Sequence, residues 1–275
     1  FKGEFSWETT LSWSKNNNKI LSLANNQNQL ANAKAGTKWG NVIRNYVGRP
    51  MGDMYMLKVI GTFNTEEDLT KYATNGTQGI GDLIFEDYKK DGTIDVNDYQ
   101  LVGNYQPDFT FGWTNTFKYK DLDLAVTIDG QCGGNVIYAV ARAFSLNRYD
   151  DNVLAESGLG RWISPTNTGN GTSHKAGTNN LGSNIGPSTR YLYDADFLRI
   201  RNISLGYTLP KKFCKTIGIE GLRISANVQN LWTFDKYPGY SVEANYEGNS
   251  ATNNGVDFGG YPISRTFTFG LNFNF

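Results

Sequence analysis

The sequence has little of what most enzymes and nucleic-acid-binding proteins depend on. Its 275 residues include one histidine, His174, and two cysteines, and 26 basic side chains balance 26 acidic ones, so the formal net charge is zero. A nucleic-acid partner would need a basic surface, which this balance does not provide. No run of about 18 apolar residues occurs, which excludes a helical membrane protein. No nucleophile motif such as Gly-x-Ser-x-Gly is present, so we predict that the chain is not an enzyme.

Aromatic side chains, by contrast, are abundant and regularly placed. They make up 14% of the chain although the mean hydropathy is −0.47. In the last residues, Phe267, Phe269, Leu271, Phe273 and Phe275 alternate with small or polar ones. Successive side chains of a strand face opposite ways, so one face would be apolar and the other polar. Outer-membrane β-barrels need this pattern, with lipid outside and a wet or plugged lumen inside.

The same alternation recurs in residues 1–13, 109–119, 121–131 and 222–229, with Asn115 as one lapse. In residues 197–209 the apolar phase changes between Ile200 and Ile203, which predicts a β-bulge near Arg201 and Asn202. Polar-phase residues would face the lumen, where they could touch cargo, the plug or water. Charged examples are Glu4, Glu8, Lys118, Asp123, Asp129 and Arg223.

Short and long connections alternate between these segments. Residues 119–121 and 210–220 are short links, whereas 14–106, 132–196 and 232–262 are long and rich in Asn and Gly. We therefore predict an all-β fold, a transmembrane antiparallel β-barrel segment of about six strands with three long extracellular loops. Six strands cannot close a membrane barrel, which needs at least about eight, so the remainder must come from elsewhere. Cys132 and Cys214 would lie at opposite ends, which predicts no disulfide.

The first long loop carries a candidate calcium site. Oxygen-bearing side chains with the spacing of a calcium-binding loop, around Gly92, are Asp87, Asp91, Thr93, Asp95 and Asp98. Lys89 stands where a third oxygen ligand belongs, and Asp98 is shorter than the usual final Glu. Two interpretations stay open: a bound Ca²⁺, or a solvated acidic turn with Lys89 as counter-ion.

The loops also contain a short helix signal and many aromatics. Asn64 followed by Glu67 predicts an N-cap with its reciprocal partner and a helix to about Tyr72. Aromatic side chains in the loops could stack on sugar rings or anchor a protein, or they could pack within the loops or form an interfacial girdle. They are Trp162, Tyr191, Tyr193, Trp232, Phe234, Tyr237, Tyr240 and Tyr246.

Several sequence blocks, in order, resemble the C-terminal region of SusC-like (SusC/RagA family) TonB-dependent transporters. They are residues 48–52 (GRPMG), 61–63 (GTF), 81–87 (GDLIFED), 91–98, 103–112 (GNYQPDFTFG), 197–210 (FLRIRNISLGYTLP) and 228–231 (VQNL). The resemblance runs almost end to end and covers residues 1–275 as the C-terminal part of the receptor barrel.

This resemblance implies a 22-stranded barrel in the Gram-negative outer membrane of Bacteroidetes-type bacteria. It implies import of large nutrients, glycans or oligopeptides, with a SusD-like surface lipoprotein. The plug domain and the N-terminal part that contacts TonB are expected to be absent from this chain. Lipid and lipopolysaccharide would surround the barrel wall. Whether the complex forms a homodimer is left open, and Ca²⁺ is the one cofactor that the sequence suggests.

Two other functions are open from the sequence. A secreted or surface β-sandwich could bury the same aromatic strands in a core and act as a ligand-binding module. A passive porin segment would share the wall but need neither plug nor TonB. Detergent dependence separates the sandwich from the barrel, and the upstream sequence separates the porin from the transporter.

Overall fold

A computed structural model describes residues 4–31, 42–145, 152–177, 184–216, 218–245 and 254–275. Phe1, Lys2 and Gly3 of the predicted first strand and Tyr246 lie outside these ranges. None of the helices within them has the length and hydropathy of a membrane-spanning helix.

Strands are the main elements of these ranges, and three short α-helices accompany them. The strands are β1 (Phe5–Ser14), β2 (Gln29–Ala31), β3 (Arg44–Tyr46), β4 (Asp53–Met56), β5 (Val59–Thr62), β6 (Leu83–Phe85), β7 (Gln100–Asn104), β8 (Phe109–Tyr119), β9 (Leu122–Cys132), β10 (Asn135–Tyr138), β11 (Leu192–Asp194), β12 (Phe197–Thr208), β13 (Gly221–Asp235), β14 (Val256–Asp257) and β15 (Thr266–Asn274). The helices are α1 (Glu66–Lys71), α2 (Ala155–Leu159) and α3 (Lys211–Thr216).

The six long strands form one sheet in the order β1-β8-β9-β12-β13-β15. Long strands that follow each other along the chain therefore lie side by side, and every neighbouring pair is antiparallel. This agrees with the six long strands expected from the alternation. One boundary was wrong: β13 runs to Asp235, so Trp232 and Phe234 lie on a strand and not in the third loop. Trp232 and Phe234 continue the alternation of residues 222–229 and lie in the same phase as Val228.

The predicted β-bulge is confirmed. Along β12, Ile200 pairs with Ile128 of β9 and Asn202 pairs with Thr127, so Arg201 is the extra residue. The register with β13 shifts at the same point, next to Asn230, whose φ of 51° is left-handed. Because a bulge adds one residue, apolar side chains on both sides of it reach the same face.

Short and long connections lie at opposite ends of the sheet, called here the turn end and the loop end. At the turn end, Lys120, with a φ of 52°, makes the tight link from β8 to β9, and α3 lies in the link from β12 to β13. The long connections between β1 and β8, β9 and β12, and β13 and β15 leave from the loop end. Cys132 ends β9 at the loop end and Cys214 is buried in α3 at the turn end; both are free thiols.

The described parts of the three long connections pack together into what we call the loop body. Strand β10 of the second connection pairs antiparallel with β11, and it pairs parallel with β14 of the third connection. Side chains from all three connections form one hydrophobic core. Its buried members are Val42, Ile43, Met54, Met56, Val136, Ile137, Tyr138, Ala139, Ala141, Tyr191, Ala195, Phe197, Tyr237, Val242 and Val256.

The predicted helix in the first connection exists, but its cap lies one residue further on. Thr65, not Asn64, is the N-cap, and its hydroxyl accepts from the Asp68 N–H at 3.2 Å. Asp68, not Glu67, is the reciprocal partner, and its carboxylate accepts from the N–H groups of Asn64 and Thr65. The bond from the Asn64 N–H is the main reason that the pKa of Asp68 lies below its usual value. Thr and Asp make this box as well as Asn and Glu do, so adjacent candidates could not be ranked from sequence.

Candidate functional site

One side of the sheet, the apolar face, carries aromatic and aliphatic side chains in register from β1 to β15. One row across it runs Trp7, Phe117, Leu124, Leu205, Ala226 and Phe269. Many of these side chains are exposed, with 71% exposure at Leu11 and 81% at Phe269. An exposed apolar surface of this extent is a contact surface for lipid or for another apolar partner.

The lapse in the apolar face is a hydrogen-bonding partner for a tryptophan. Asn115 is 7% exposed, and its side-chain oxygen accepts from the Trp7 indole N–H at 3.0 Å. Thr9, its Cα partner on β1, accepts from the Trp113 indole N–H at 2.9 Å. Each indole would otherwise present an unsatisfied donor to an apolar surrounding, which costs free energy. Asn115 and Thr9 are therefore paired rather than free.

The opposite side, the polar face, is lined by hydroxyl, amide and charged side chains. Its strand residues include Ser6, Glu8, Thr10, Ser12, Thr110, Thr114, Lys118, Asp123, Thr127, Asp129, Arg199, Asn202, Ser204, Arg223, Ser225, Asn227, Thr268 and Asn272. Neighbours on it hydrogen-bond across strands, as Asn227 does to Asn202 at 2.7 Å. Of the predicted lumen residues, Glu8, Lys118, Asp123, Asp129 and Arg223 lie here.

Near the turn end, one ion pair spans three strands of the polar face. Arg223 of β13 donates from both terminal nitrogens to the Asp123 carboxylate of β9, at 2.7 and 2.9 Å. Gly206 of the intervening β12 lies beneath the pair, and a Cβ there would collide with the guanidinium. Glycine at this position thus leaves the room that the ion pair uses. Close by, Glu4 forms an ion pair with Lys120 at 3.3 Å.

Near the loop end, four charged residues form what we call the charge cluster: Asp129, Arg199, Arg201 and Glu243. Arg199 donates to Asp129 from Nε at 3.1 Å and from Nη2 at 2.6 Å, and to Glu243 of the third connection from Nη1 at 2.7 Å. Arg201 reaches the same Asp129 from Nη1 at 3.0 Å. The bulge lets Arg201 turn toward the polar face beside Arg199, which keeps its charge off the apolar face.

Two open grooves adjoin the charge cluster, and Glu243 and Phe197 line both. The larger, of about 310 Å³, also has Ser12, Thr110 and Asp129 in its wall. The smaller, of about 150 Å³, also has Arg199, Thr233 and Arg265 in its wall. Glu243 therefore stands between two spaces near the loop end, the smaller of which also reaches Trp232 of the apolar face.

The structure places the calcium-loop candidates in one acidic turn, in which their carboxylates accept from the turn's own backbone. Asp87 accepts from the N–H groups of Lys90, Asp91 and Gly92, and Asp91 accepts from Thr93. The buried Asp98 accepts from Lys89 and Asp95, and Asp95 caps the short 3-10 helix 96–98. In the described ranges, no three or more His, Cys, Asp or Glu are arranged to hold a metal ion. The calcium interpretation stays a prediction.

Four of the predicted loop aromatics, Trp162, Tyr191, Tyr193 and Tyr237, pack within the loop body, whereas Tyr240 is 74% exposed. Tyr191 is 1% exposed, Tyr237 is 6% exposed, and Tyr193 packs edge-on against Tyr237 at 5.9 Å between ring centroids. Burial raises the pKa of Tyr193 to about 12 and, with the hydrogen bond to Asp257, raises that of Tyr237 as well. The Trp162 indole donates to Asn64 at 2.9 Å. Trp232 and Phe234 are exposed on the apolar face near the loop end, as girdle residues would be.

Arg199 and Glu243, the centre of the charge cluster, were not among the predicted site residues. A signal for Arg199 was present, since it alternates with Leu198 and Ile200 and therefore had to face the polar side. No local signal pointed to Glu243, because its contact with Arg199 joins residues 44 positions apart through the fold of the third connection.

Comparison with known proteins gives one consistent result. The chain is 32% identical over 283 residues to the TonB-dependent receptor P3 of Formosa agariphila, which covers 99% of this chain and 27% of the receptor. It is 27% identical over 280 residues to the TonB-dependent receptor SusC of Bacteroides thetaiotaomicron, covering 99% of this chain and 25% of SusC. No family model matches the chain.

Solved structures show the same fold. The RagAB peptide importer in its open-open state superposes with a TM-score of 0.69 at 18% identity, over 100% of this chain and 27% of that one. The chain thus spans about a quarter of the length of the proteins that it matches. The predicted resemblance to SusC-like TonB-dependent receptors is confirmed, and with it the location in the outer membrane. The relatives are named as receptors, in line with the prediction that the chain is not an enzyme.

Proposed function

We propose that the chain is the C-terminal part of the barrel wall of a SusC-like active importer. The observation that carries the proposal is the six-stranded sheet with an exposed apolar face and an opposite face of paired charges and hydroxyls. Lipid on one side and water on the other is the environment that such a sheet requires. The similarity to TonB-dependent receptors over 99% of the chain supports the same conclusion.

The rest of the barrel would pair with the two edges of this sheet. Strands β1 and β15 each have a sheet neighbour on one side, β8 and β13 respectively. An open edge in lipid leaves backbone groups without partners, each costing several kcal/mol. Additional strands, 22 in all by the resemblance, would close the barrel around a plug domain.

The loop body would lie outside the cell, and the turn end would face the periplasm. Outer-membrane barrels have long external loops and short periplasmic turns, which matches the two ends of this sheet. We infer three external loops, which are the long connections between β1 and β8, between β9 and β12, and between β13 and β15. A SusD-like lipoprotein would cover them, and TonB would energise import through the plug.

The cargo would be a large nutrient, either a glycan or an oligopeptide. One neighbour is titled a peptide importer, and one relative is named SusC. The polar face offers hydroxyls, amides and balanced charges, to which both kinds of cargo could bind.

Import can be tested in the native bacterium with the complete gene. Deletion should abolish growth on at least one glycan or peptide mixture as sole nutrient, and depletion of TonB should reproduce the defect. Growth that persists without TonB but not without the gene would indicate a passive porin. A purified protein that stays monodisperse without detergent would instead support the β-sandwich alternative.

A further inference from the structure

We propose that Arg199 and Arg201 form a binding site for a carboxylate group of the cargo, and that Glu243 occupies this site until the cargo displaces it. The proposal rests on the proposed function, because it requires that the polar face border the path of the cargo. It adds the chemical class of the bound group, a carboxylate, and a residue, Glu243, that competes with this group for the site.

The two carboxylates bound to Arg199 are held very differently. Asp129 is on the directly paired strand, accepts two bonds from Arg199 and one from Arg201, and its side chain is 18% exposed. Glu243 is in the third connection, accepts one bond from Arg199, and its side chain is 46% exposed. A half-exposed carboxylate with one bond keeps more of its hydration and gives up fewer contacts on leaving than Asp129 would, so Glu243 is the partner that leaves first.

Departure of Glu243 would create a demand for another anion. With it, two arginines face two carboxylates and the charge cluster has a formal charge of zero. Without it, the formal charge is one positive, and the Arg199 guanidinium, whose side chain is 7% exposed, has a donor without its partner. A buried, unpaired donor on a permanently charged group is costly, so an incoming oxyanion would be favoured.

The geometry suits a carboxylate in particular. Glu243 itself binds Arg199 through a carboxylate oxygen at 2.7 Å, so the position already accepts that group. Arg201 lies beside it with 59% of its side chain exposed and could supply further N–H donors. Planar guanidinium groups bind carboxylates with matched hydrogen-bond geometry.

There is room for a ligand on both sides of Glu243. It lines both the groove of about 310 Å³ and the groove of about 150 Å³. Cargo lying along the polar face could therefore reach Glu243 from either groove and Arg199 from the smaller one. Cargo carboxylates come from two sources, the C-terminus or acidic side chains of a peptide and the uronic acids of a glycan.

The test measures binding to the full-length transporter purified in detergent, by titration calorimetry at low salt. The probes are tetra-alanine with a free C-terminus, amidated tetra-alanine, trigalacturonate and neutral galactotriose. The variant Glu243→Gln keeps the shape of the side chain and removes its charge. Glu67→Gln is the matched control, since it makes the same change on the exposed helix α1.

Glu243→Gln should bind a carboxylate probe about five-fold more tightly than wild type, which corresponds to the upper end for a half-exposed ion pair. Arg201→Gln should weaken the same probe, and Glu67→Gln should change nothing. A gain for free tetra-alanine alone would identify a peptide source, and a gain for trigalacturonate alone would identify a sugar acid. Equal gains would support both.

The proposal would be overturned if Glu243→Gln bound all four probes as wild type does, or gained equally for the neutral ones. If Glu243→Gln nevertheless inserted and imported normally, only the carboxylate site would be ruled out, and the proposed import function would not be affected. Failure of the full-length wild-type protein to form an outer-membrane barrel would remove both proposals.

Discussion

The loop body buries its apolar side chains within the chain, whereas the sheet exposes its apolar side chains on one face. In the loop body, Ile137 and Met54 are 0% exposed and pack against other side chains of the same chain. In the sheet, Leu11 and Phe269 are 71% and 81% exposed, and their packing partners must come from outside the chain. The loop body therefore has a core of the kind found in water-soluble domains, whereas the sheet depends on lipid and on further strands.

Alternation of apolar and polar residues along a strand therefore does not show where a core lies. Strand β10 is buried at three of its four positions, and the apolar face of β15 is exposed throughout, although both are strands of one chain. Substitutions in the two regions should therefore have different effects on stability and on membrane insertion.

Ile137→Ala should destabilise the loop body by about 2–5 kcal/mol, because it opens a cavity in a closed core. Ile128→Ala on the apolar face is the matched control, and it should cost much less since a lipid chain can fill the space. Protease cleavage of the loops on intact cells would measure the first effect. Equal sensitivity of the two variants would mean that the faces were assigned wrongly.

Val126→Arg should impair insertion of the full-length protein, since a cation on the lipid side near the middle of β9 costs about 2–4 kcal/mol. Thr127→Arg is adjacent and faces the polar side, where water or the plug can accommodate the charge. The fraction of folded protein in outer-membrane preparations compares them. An insertion defect as large in Thr127→Arg would contradict the assignment of the two faces.

Thr65→Ala should destabilise helix α1 by about 1 kcal/mol, because the hydroxyl that caps the Asp68 N–H is lost. Hydrogen exchange of residues 66–71 measures this local change. Thr70→Ala, in the same exposed helix but away from the cap, should leave exchange unchanged or slower. Insertion should be normal in both, which confines the effect to the loop body.

Asp123→Asn should have the smallest effect, on the order of 0.2–1 kcal/mol, because both members of the Arg223 pair are partly exposed. The measurement is the unfolding temperature of the barrel at low and high salt. The loss should shrink at high salt, as it does for screened pairs. Asp121→Asn in the adjacent turn is the control, and a loss unaffected by salt would argue against an electrostatic origin.

Much of the sheet could be predicted from sequence because its two faces, one apolar and one polar, require apolar and polar residues to alternate along each strand. Alternation located the long strands, and the phase change between Ile200 and Ile203 located the bulge at Arg201. Asn115 looked like a lapse, since only its three-dimensional position shows the bond from Trp7. A hydrogen bond between side chains of neighbouring strands cannot be recognised from the order of residues alone.

The loop body and the charge cluster were less predictable for the same reason. The cap at Thr65 differed from the predicted one by a single residue, because adjacent polar residues compete for the same backbone donors. The contact between Glu243 and Arg199 joins the third connection to strand β12, and the core around Tyr191 joins different connections. Such contacts depend on how the connections fold over one another.

The parallel pairing of β10 with β14 also affects how fast the loop body can fold. Ile137 and Tyr138 pair with Val256 and Asp257, which lie 119 residues later in the chain. Contacts over such separations form slowly, because the entropy of closing the intervening chain must be offset first. The core that contains Ile137 and Val256 is therefore complete only after the second and third connections have come together.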